Sequence, residues 1–345
     1  MVFESHSSNK HQSVRIGYID LFRSFGIILM IMGHIGFGDA FDYFIHAFHM
    51  PMFFWISGYL FKYRTKEEIS FGTFILKKFK TLLIPYVVFG AAHCLIDFCV
   101  KLVTHKPVEV QPMINLLWYN TQKLPICGAL WFLTALFFTD VIFFLIDRYI
   151  NNKSLKAAVV VFIATVGCLL SSVFSITLPL ALGASFVGVG LYYIGHLFRK
   201  YGEQKVIHKL TNLSLPLTIL LGIVTFVLIF VNDEVNMRKE EYGFIPLFWV
   251  NAVFCVVTGM NLSKYIYKII QGTIINKWLA DIGKNTIVYV CLNQVVILVC
   301  NNIIKMVDMP LIVSQLLVLA VSIAALWVAS LIFTKTKLKA VIGKV

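Results

Sequence analysis

The chain has 345 residues, 59% of them hydrophobic and only 14% charged, with a mean hydropathy of +0.83. That balance excludes a water-soluble domain and indicates a polytopic membrane protein. A net charge of +13 would suit nucleic acid as a partner, but the basic residues stand between apolar runs, where they act as topology signals, and no nucleic-acid motif is present. Seven cysteines (Cys94, Cys99, Cys127, Cys168, Cys255, Cys291 and Cys300) share no repeated spacing, so neither a disulfide framework nor a zinc site follows.

In chain order, residues 1–15 are polar and read as a cytoplasmic N-terminus. The helix that follows carries Asp20 and Arg23 and lacks the features of a signal peptide, so it is expected to stay in the mature protein. This first apolar segment, 16–36, holds Arg23 and His34 eleven residues apart. An arginine inside a membrane helix costs a few kcal/mol or more and persists only where a partner, water or ligand takes up its charge. Eleven residues make about three turns with an offset of roughly 20°, so both side chains share a face about 16 Å apart along the axis. That spacing suits a long anionic molecule lying along the helix.

Nine further spans are expected at 44–61, 82–103, 129–147, 157–175, 178–198, 213–231, 244–262, 279–301 and 311–333, each long enough or nearly so for a bilayer core of about 30 Å. With the N-terminus inside, 23 basic residues fall in cytoplasmic segments and 6 outside. The positive-inside rule then gives an all-α bundle of ten transmembrane helices, N-in and C-in, ending in a basic cytoplasmic tail at 334–345. No linker or internal repeat divides it, so 1–345 reads as a single membrane domain.

Five motifs follow one another in this frame. Tyr18-Ile19-Asp20-Leu21-Phe22-Arg23 leads after ten intervening residues to His34, preceded by Gly33. Phe48-His49-Met50-Pro51-Met52-Phe53-Phe54-Trp55-Ile56-Ser57-Gly58-Tyr59-Leu60-Phe61 comes next, then Lys77-Lys78-Phe79-Lys80-Thr81-Leu82-Leu83-Ile84-Pro85-Tyr86. Leu130-Trp131-Phe132-Leu133 and Gly283-Lys284-Asn285-Thr286-Ile287-Val288-Tyr289 close the set. In this order and over the whole length, the motifs resemble the acyltransferase-3 family of integral membrane O-acyltransferases, in particular its fucose O-acetylase-like branch. The resemblance implies transfer of an acyl group, usually acetyl, from cytoplasmic acyl-coenzyme A to a hydroxyl of a cell-surface glycan or lipid-linked sugar. Acetyl-coenzyme A would be a co-substrate, no metal is implied, and the setting would be a cell membrane such as the bacterial inner membrane. Many relatives carry a histidine shortly after the tyrosine corresponding to Tyr289, where this chain has Cys291-Leu292-Asn293-Gln294.

Acyl transfer from a thioester needs a base for the hydroxyl proton, donors for the oxyanion and anchors for the coenzyme's phosphates. His34 is the expected base, since imidazole titrates near neutrality. Arg23 offers fork geometry for phosphate oxygens, and Asp20, one turn earlier, is placed to pair with it. His49 precedes Pro51 at irregular backbone and is either a second base or oxyanion donor or an interfacial histidine facing water. Ser57 and Gly58 suit close helix packing more than nucleophilic chemistry, as do Gly183, Gly188 and Gly190. Lys77, Lys78 and Lys80 serve either as a topology anchor or as a phosphate site. Trp131 is an interfacial belt residue or a wall of the site, with interfacial enrichment favouring the belt. Asn285, Tyr289 and Asn293 recur every four residues as a polar stripe expected to line an internal cavity. The polar loop 232–242 has groups for sugar hydroxyls, as any solvated loop has. The rival class is a transporter or flippase for a lipid-linked saccharide, whose usual inverted repeats are not visible in the sequence.

Overall fold

A computed structural model describes residues 16–61 and 69–344. The N-terminal segment 1–15 and the basic residues Lys62, Arg64 and Lys66 lie outside the described residues. Of the described residues 78% are helical, and among them the strands pair only Val235–Asn236 (β1) with Glu241–Tyr242 (β2), so the class is all-α.

The helices are α1 Gly17–Ile35, α2 Asp39–His46, α3 His49–Tyr59, α4 Phe71–Lys78, α5 Ile84–Val103, α6 Gln111–Leu117, α7 Trp131–Tyr149 and α8 Lys153–Ser172. They continue as α9 Leu182–Lys200, α10 Lys205–Thr211, α11 Leu215–Val231, α12 Ile245–Ile270, α13 Ile274–Lys284, α14 Thr286–Ile304 and α15 Leu311–Lys335. Eight helical segments among the described residues are long and apolar enough to cross a membrane, and α10 with α11, bent by 83°, forms a ninth if counted as one.

Two expected spans take a different form. The segment 44–61 divides into α2 and α3, because the chain bends at Ala47 and Phe48 and Pro51 fits only the first turn of a new helix. Every residue of α3 except Ser57 is buried, as expected for a helix apolar all round. Glycines let it approach α9 at backbone distance: a Cβ on Gly58 would lie 1.9 Å from the carbonyl oxygen of Tyr192, and one on Gly195 2.0 Å from that of Trp55. The segment 279–301 likewise breaks at Asn285. Its first part belongs to α13, packed on α1 where a Cβ on Gly283 would meet the Asp20 carbonyl oxygen at 1.9 Å.

The expected start at 82 moves back to Phe71, since α4 runs into α5 through a π-helical turn, Phe79–Leu83. Pro85 explains that turn. Its nitrogen has no hydrogen for the Thr81 carbonyl, and the preceding amide, Ile84 N–H, reaches back five residues to Phe79.

Candidate functional site

Four of these helices line both of two adjoining cavities. On α1, Arg23 in the second turn faces one cavity and His34 in the last turn the other, and α14 runs the same way, from Thr286 to Gln294. Helices α3 and α7 run antiparallel to them, from His49 to Ser57 and from Trp131 to Phe144. A cavity of about 450 Å³ holds Arg23, Ser57, Lys77, Lys78, Thr81, Asp140 and Thr286. A second, of about 200 Å³, holds His34, His46, His49, Trp131, Arg238 and Gln294. Phe53, Phe132 and Val290 belong to the walls of both and form the partition between them. Both rings are buried, and their centroids lie 5.8 Å apart.

In the lysine cavity, Lys78 Nζ lies 2.8 Å from Asp140 Oδ2. Tyr192 Oη donates to the other oxygen of the same buried carboxylate at 2.8 Å. This neutralises one of the cations; Arg23 and Lys77 also belong to the cavity wall. Ser57 Oγ donates back to the Phe53 carbonyl at 2.8 Å, which is a helix-internal role. Lys80 is exposed and absent from this lining, because the face turned to the cavity repeats at helical spacing through Phe74, Lys77, Lys78, Thr81 and Leu82 and leaves position 80 to one side.

In the histidine cavity, hydrogen bonds fix the ring tautomers. Because a carbonyl only accepts, His49 Nδ1 must donate to Ile45 O at 2.7 Å, which leaves Nε2 with a lone pair. The acceptor is a carbonyl in the last turn of α2 that also accepts the Phe48 N–H at 3.1 Å, so the break that shortens the span also orients the ring. The amide of Gln294 is oriented by the same logic: its Oε1 accepts the Gly128 N–H. Its Nε2 therefore faces His34 Nδ1, 3.2 Å away, and donates to it. His34 then carries its proton on Nε2, and the two histidines offer complementary functions, one an acceptor and one a donor. His46 packs against His49 with ring centroids 5.5 Å apart.

Trp131 is buried in the cavity wall and is no belt residue. The stripe expected at Asn285, Tyr289 and Asn293 does not line either cavity. Asn285 Nδ2 donates to Asp281 Oδ1 at 3.0 Å and its Oδ1 accepts from Lys344, while Asn293 Nδ2 donates to carbonyls of its own helix. The cavity face of α14 is Thr286, Val290 and Gln294, one residue further on and so about 100° around the helix. Asp20 is buried where α1 meets α13 and lines neither cavity.

Arg238 carries little signal in the sequence. It stands in the hairpin β1–β2, held by Asn236, whose Oδ1 accepts the amides of Arg238 and Lys239 at 3.1 and 3.3 Å. Arg238 Nε donates to Thr121 O at 3.1 Å and Nη2 to Gln122 O, and burial depresses its ordinarily high pKa. Among the described residues no cluster of His, Cys, Asp and Glu is arranged to hold a metal ion.

The sequence model of the acyltransferase-3 family, described as an acyltransferase domain, matches residues 16–334. No curated protein and no solved structure matches the chain significantly. Covering nearly the whole chain and both cavities, the family match establishes that this protein belongs to the acyltransferase-3 family and is a membrane acyltransferase.

Proposed function

We propose that the protein moves an acyl group, acetyl by its likeness to the O-acetylase branch, from acyl-coenzyme A to a hydroxyl of a glycan or lipid-linked sugar. The observation that carries this reading is the junction of two chemically different cavities at Phe53, Phe132 and Val290. Phosphates of the coenzyme are held in the lysine cavity by Arg23 and Lys77, with Lys78 available by exchange from Asp140. The pantetheine arm passes the phenylalanine partition and presents the thioester to the histidines. The 23 to 6 division of basic residues supports a lysine cavity open to the cytoplasm, where the coenzyme is found, and N-in, C-in termini.

The tautomers support His49 as the base, with the role expected for His34 becoming that of a donor. His49 Nε2 takes the proton from the acceptor hydroxyl, whose oxygen attacks the thioester carbonyl. His34 Nε2–H donates to the oxyanion. Collapse breaks the carbon–sulfur bond, and the departing thiolate recovers the proton from His49.

The test is acyl transfer by purified, reconstituted protein, read as coenzyme A thiol released on addition of a sugar acceptor, together with mass spectrometry of surface glycans with and without the gene. Hydroxyl-dependent thiol release and loss of an acetyl mass from one glycan are expected. Unchanged acylation with lipid-linked sugar accumulating on one leaflet would replace this reading with a flippase.

A further inference from the structure

The histidine cavity contains a cation whose charge the protein leaves uncompensated. No Asp or Glu lines this cavity, and among the described residues Arg238 has no ion pair. The neighbouring carboxylates of its hairpin are engaged elsewhere. Glu234 and Glu241 lie 3.8 and 3.7 Å from Lys239, and Glu240 accepts the Ala184 amide at 3.1 Å. The partners of Arg238 are backbone carbonyls, which orient a guanidinium without neutralising it. Of its five N–H groups, Nε–H and one on Nη2 are used in this way, leaving three: one on Nη2 and two on Nη1.

The sequence makes room for this group. A Cβ on Gly128 would lie 2.3 Å from Arg238 Nη1. Gly128 is not among the residues with positive φ, so its backbone would accept alanine and its missing side chain serves the guanidinium. Gly128 also donates its N–H to Gln294, which fixes His34. One glycine thus ties the cation to the reacting centre.

A charge partly withdrawn from water without a counter-charge is costly, and an incoming anion lowers that cost. We propose that Arg238 is the anion-recognition element of the acceptor site, and that the acceptor carries a carboxylate or a phosphate close to the hydroxyl that is acylated. A planar fork with three open donors matches either anion. The proposal rests on the acyl-transfer reading for what occupies the subsite, whereas its test uses no donor, so failure of transfer and failure of anion recognition are seen separately.

The experiment titrates the full chain in detergent with glucose, glucuronate and glucose 6-phosphate, following binding by calorimetry. At least one anionic sugar is expected to bind more tightly than glucose. Tight binding of glucuronate alone assigns a carboxylate, of glucose 6-phosphate alone a phosphate, and of both a subsite that reads charge. Arg238→Gln should weaken the preferred sugar by about 10- to 100-fold, the worth of a charge-assisted hydrogen bond, and leave glucose unchanged. Arg238→Lys should retain part of the preference, and Gly128→Ala, which displaces the guanidinium, should lose it even if Arg238→Gln does not fold. Lys77→Gln should keep it. Equal binding of all three sugars overturns the proposal, as does a preference that survives Arg238→Gln and disappears in Lys77→Gln, which would put the anion in the other cavity.

Discussion

The amide nitrogen of Gln294 stands 3.2 Å from Nδ1 of His34 and sets which histidine nitrogen can face a substrate. With Oε1 committed to Gly128, only the donor end of this amide is left for the ring. Gln294→Glu replaces that donor with an acceptor, drawing the histidine proton onto Nδ1 and leaving a lone pair where the oxyanion forms. Acyl transfer should fall by about 10² to 10³, the cost of one oxyanion donor, with the KM for acyl-coenzyme A unchanged. A matching rise in that KM would mean that Gln294 acts through donor binding. Gln294→Ala frees the ring to adopt either tautomer and should cost less, about tenfold.

The two histidines should respond differently to the same replacement. His49→Ala removes the base and should lower transfer by about 10² to 10⁴. His49→Gln should recover nothing, since an amide cannot take up the hydroxyl proton. His34→Gln keeps an N–H donor and should recover part of the activity lost in His34→Ala. A single assay of the four variants at saturating donor separates the roles. Rescue at position 49 and none at 34 would restore His34 as the base.

The long apolar helices and the shared face of Arg23 and His34 were legible because hydropathy and helical period survive tertiary context. The break between α2 and α3 was less so. An apolar run of 18 residues reads as one span, whereas the turn at Ala47 and Phe48 and the Ile45 carbonyl that captures His49 depend on a fold that buries all of α3 but Ser57. The polar stripe on the ninth expected span had the right period and the wrong phase. Periodicity groups Asn285 with Tyr289 and Asn293, but only packing decides whether that row or its neighbour, ending at Gln294, faces the cavity. Arg238 was hidden for another reason: a loop dense in charge looks solvated, and nothing local tells that Asn236 turns its arginine inward.

The glycine contacts between α3 and α9 predict large effects on stability. Gly58→Ala would drive a methyl group to 1.9 Å from a backbone oxygen. Backbone cannot yield as a flexible side chain does, so a loss of about 1 to 3 kcal/mol, typical of overpacking, is expected as a lower thermal midpoint in detergent. Gly72→Ala is the control. Its added Cβ meets nothing within 4 Å, and the helix should be slightly more stable. Equal midpoints for the two variants would show that α3 and α9 can separate without cost.

The proposed orientation can be read at two exposed lysines. In intact cells, Lys80→Cys beside the lysine cavity should resist a membrane-impermeant maleimide, while Lys239→Cys on the hairpin should react. The unsubstituted chain supplies the background, because Cys99 is itself exposed. Labelling of both from one side would remove the cytoplasmic assignment of the lysine cavity.

Glu240 should give the hairpin a pH-dependent hold on the bundle. Its carboxyl is 1% exposed at the start of α9, where Oε1 accepts the Ala184 amide and Oε2 has no hydrogen-bond partner. Burial pushes it from an ordinary 4.5 up to about 7, against the lowering effect of the amide. Between those values the folded protein holds a proton that the unfolded chain has released, so stability falls as pH rises through this window. The loss amounts to on the order of 3 kcal/mol, nil below about pH 4.5 and complete above about pH 7. Glu240→Gln keeps an acceptor for Ala184 and has no charge to bury. The wild-type thermal midpoint should therefore drop between pH 5 and pH 8 relative to that of Glu240→Gln, measured at one scan rate. Parallel curves for the two proteins would show that the carboxylate is ionised in the folded state throughout and that the hairpin compensates its charge.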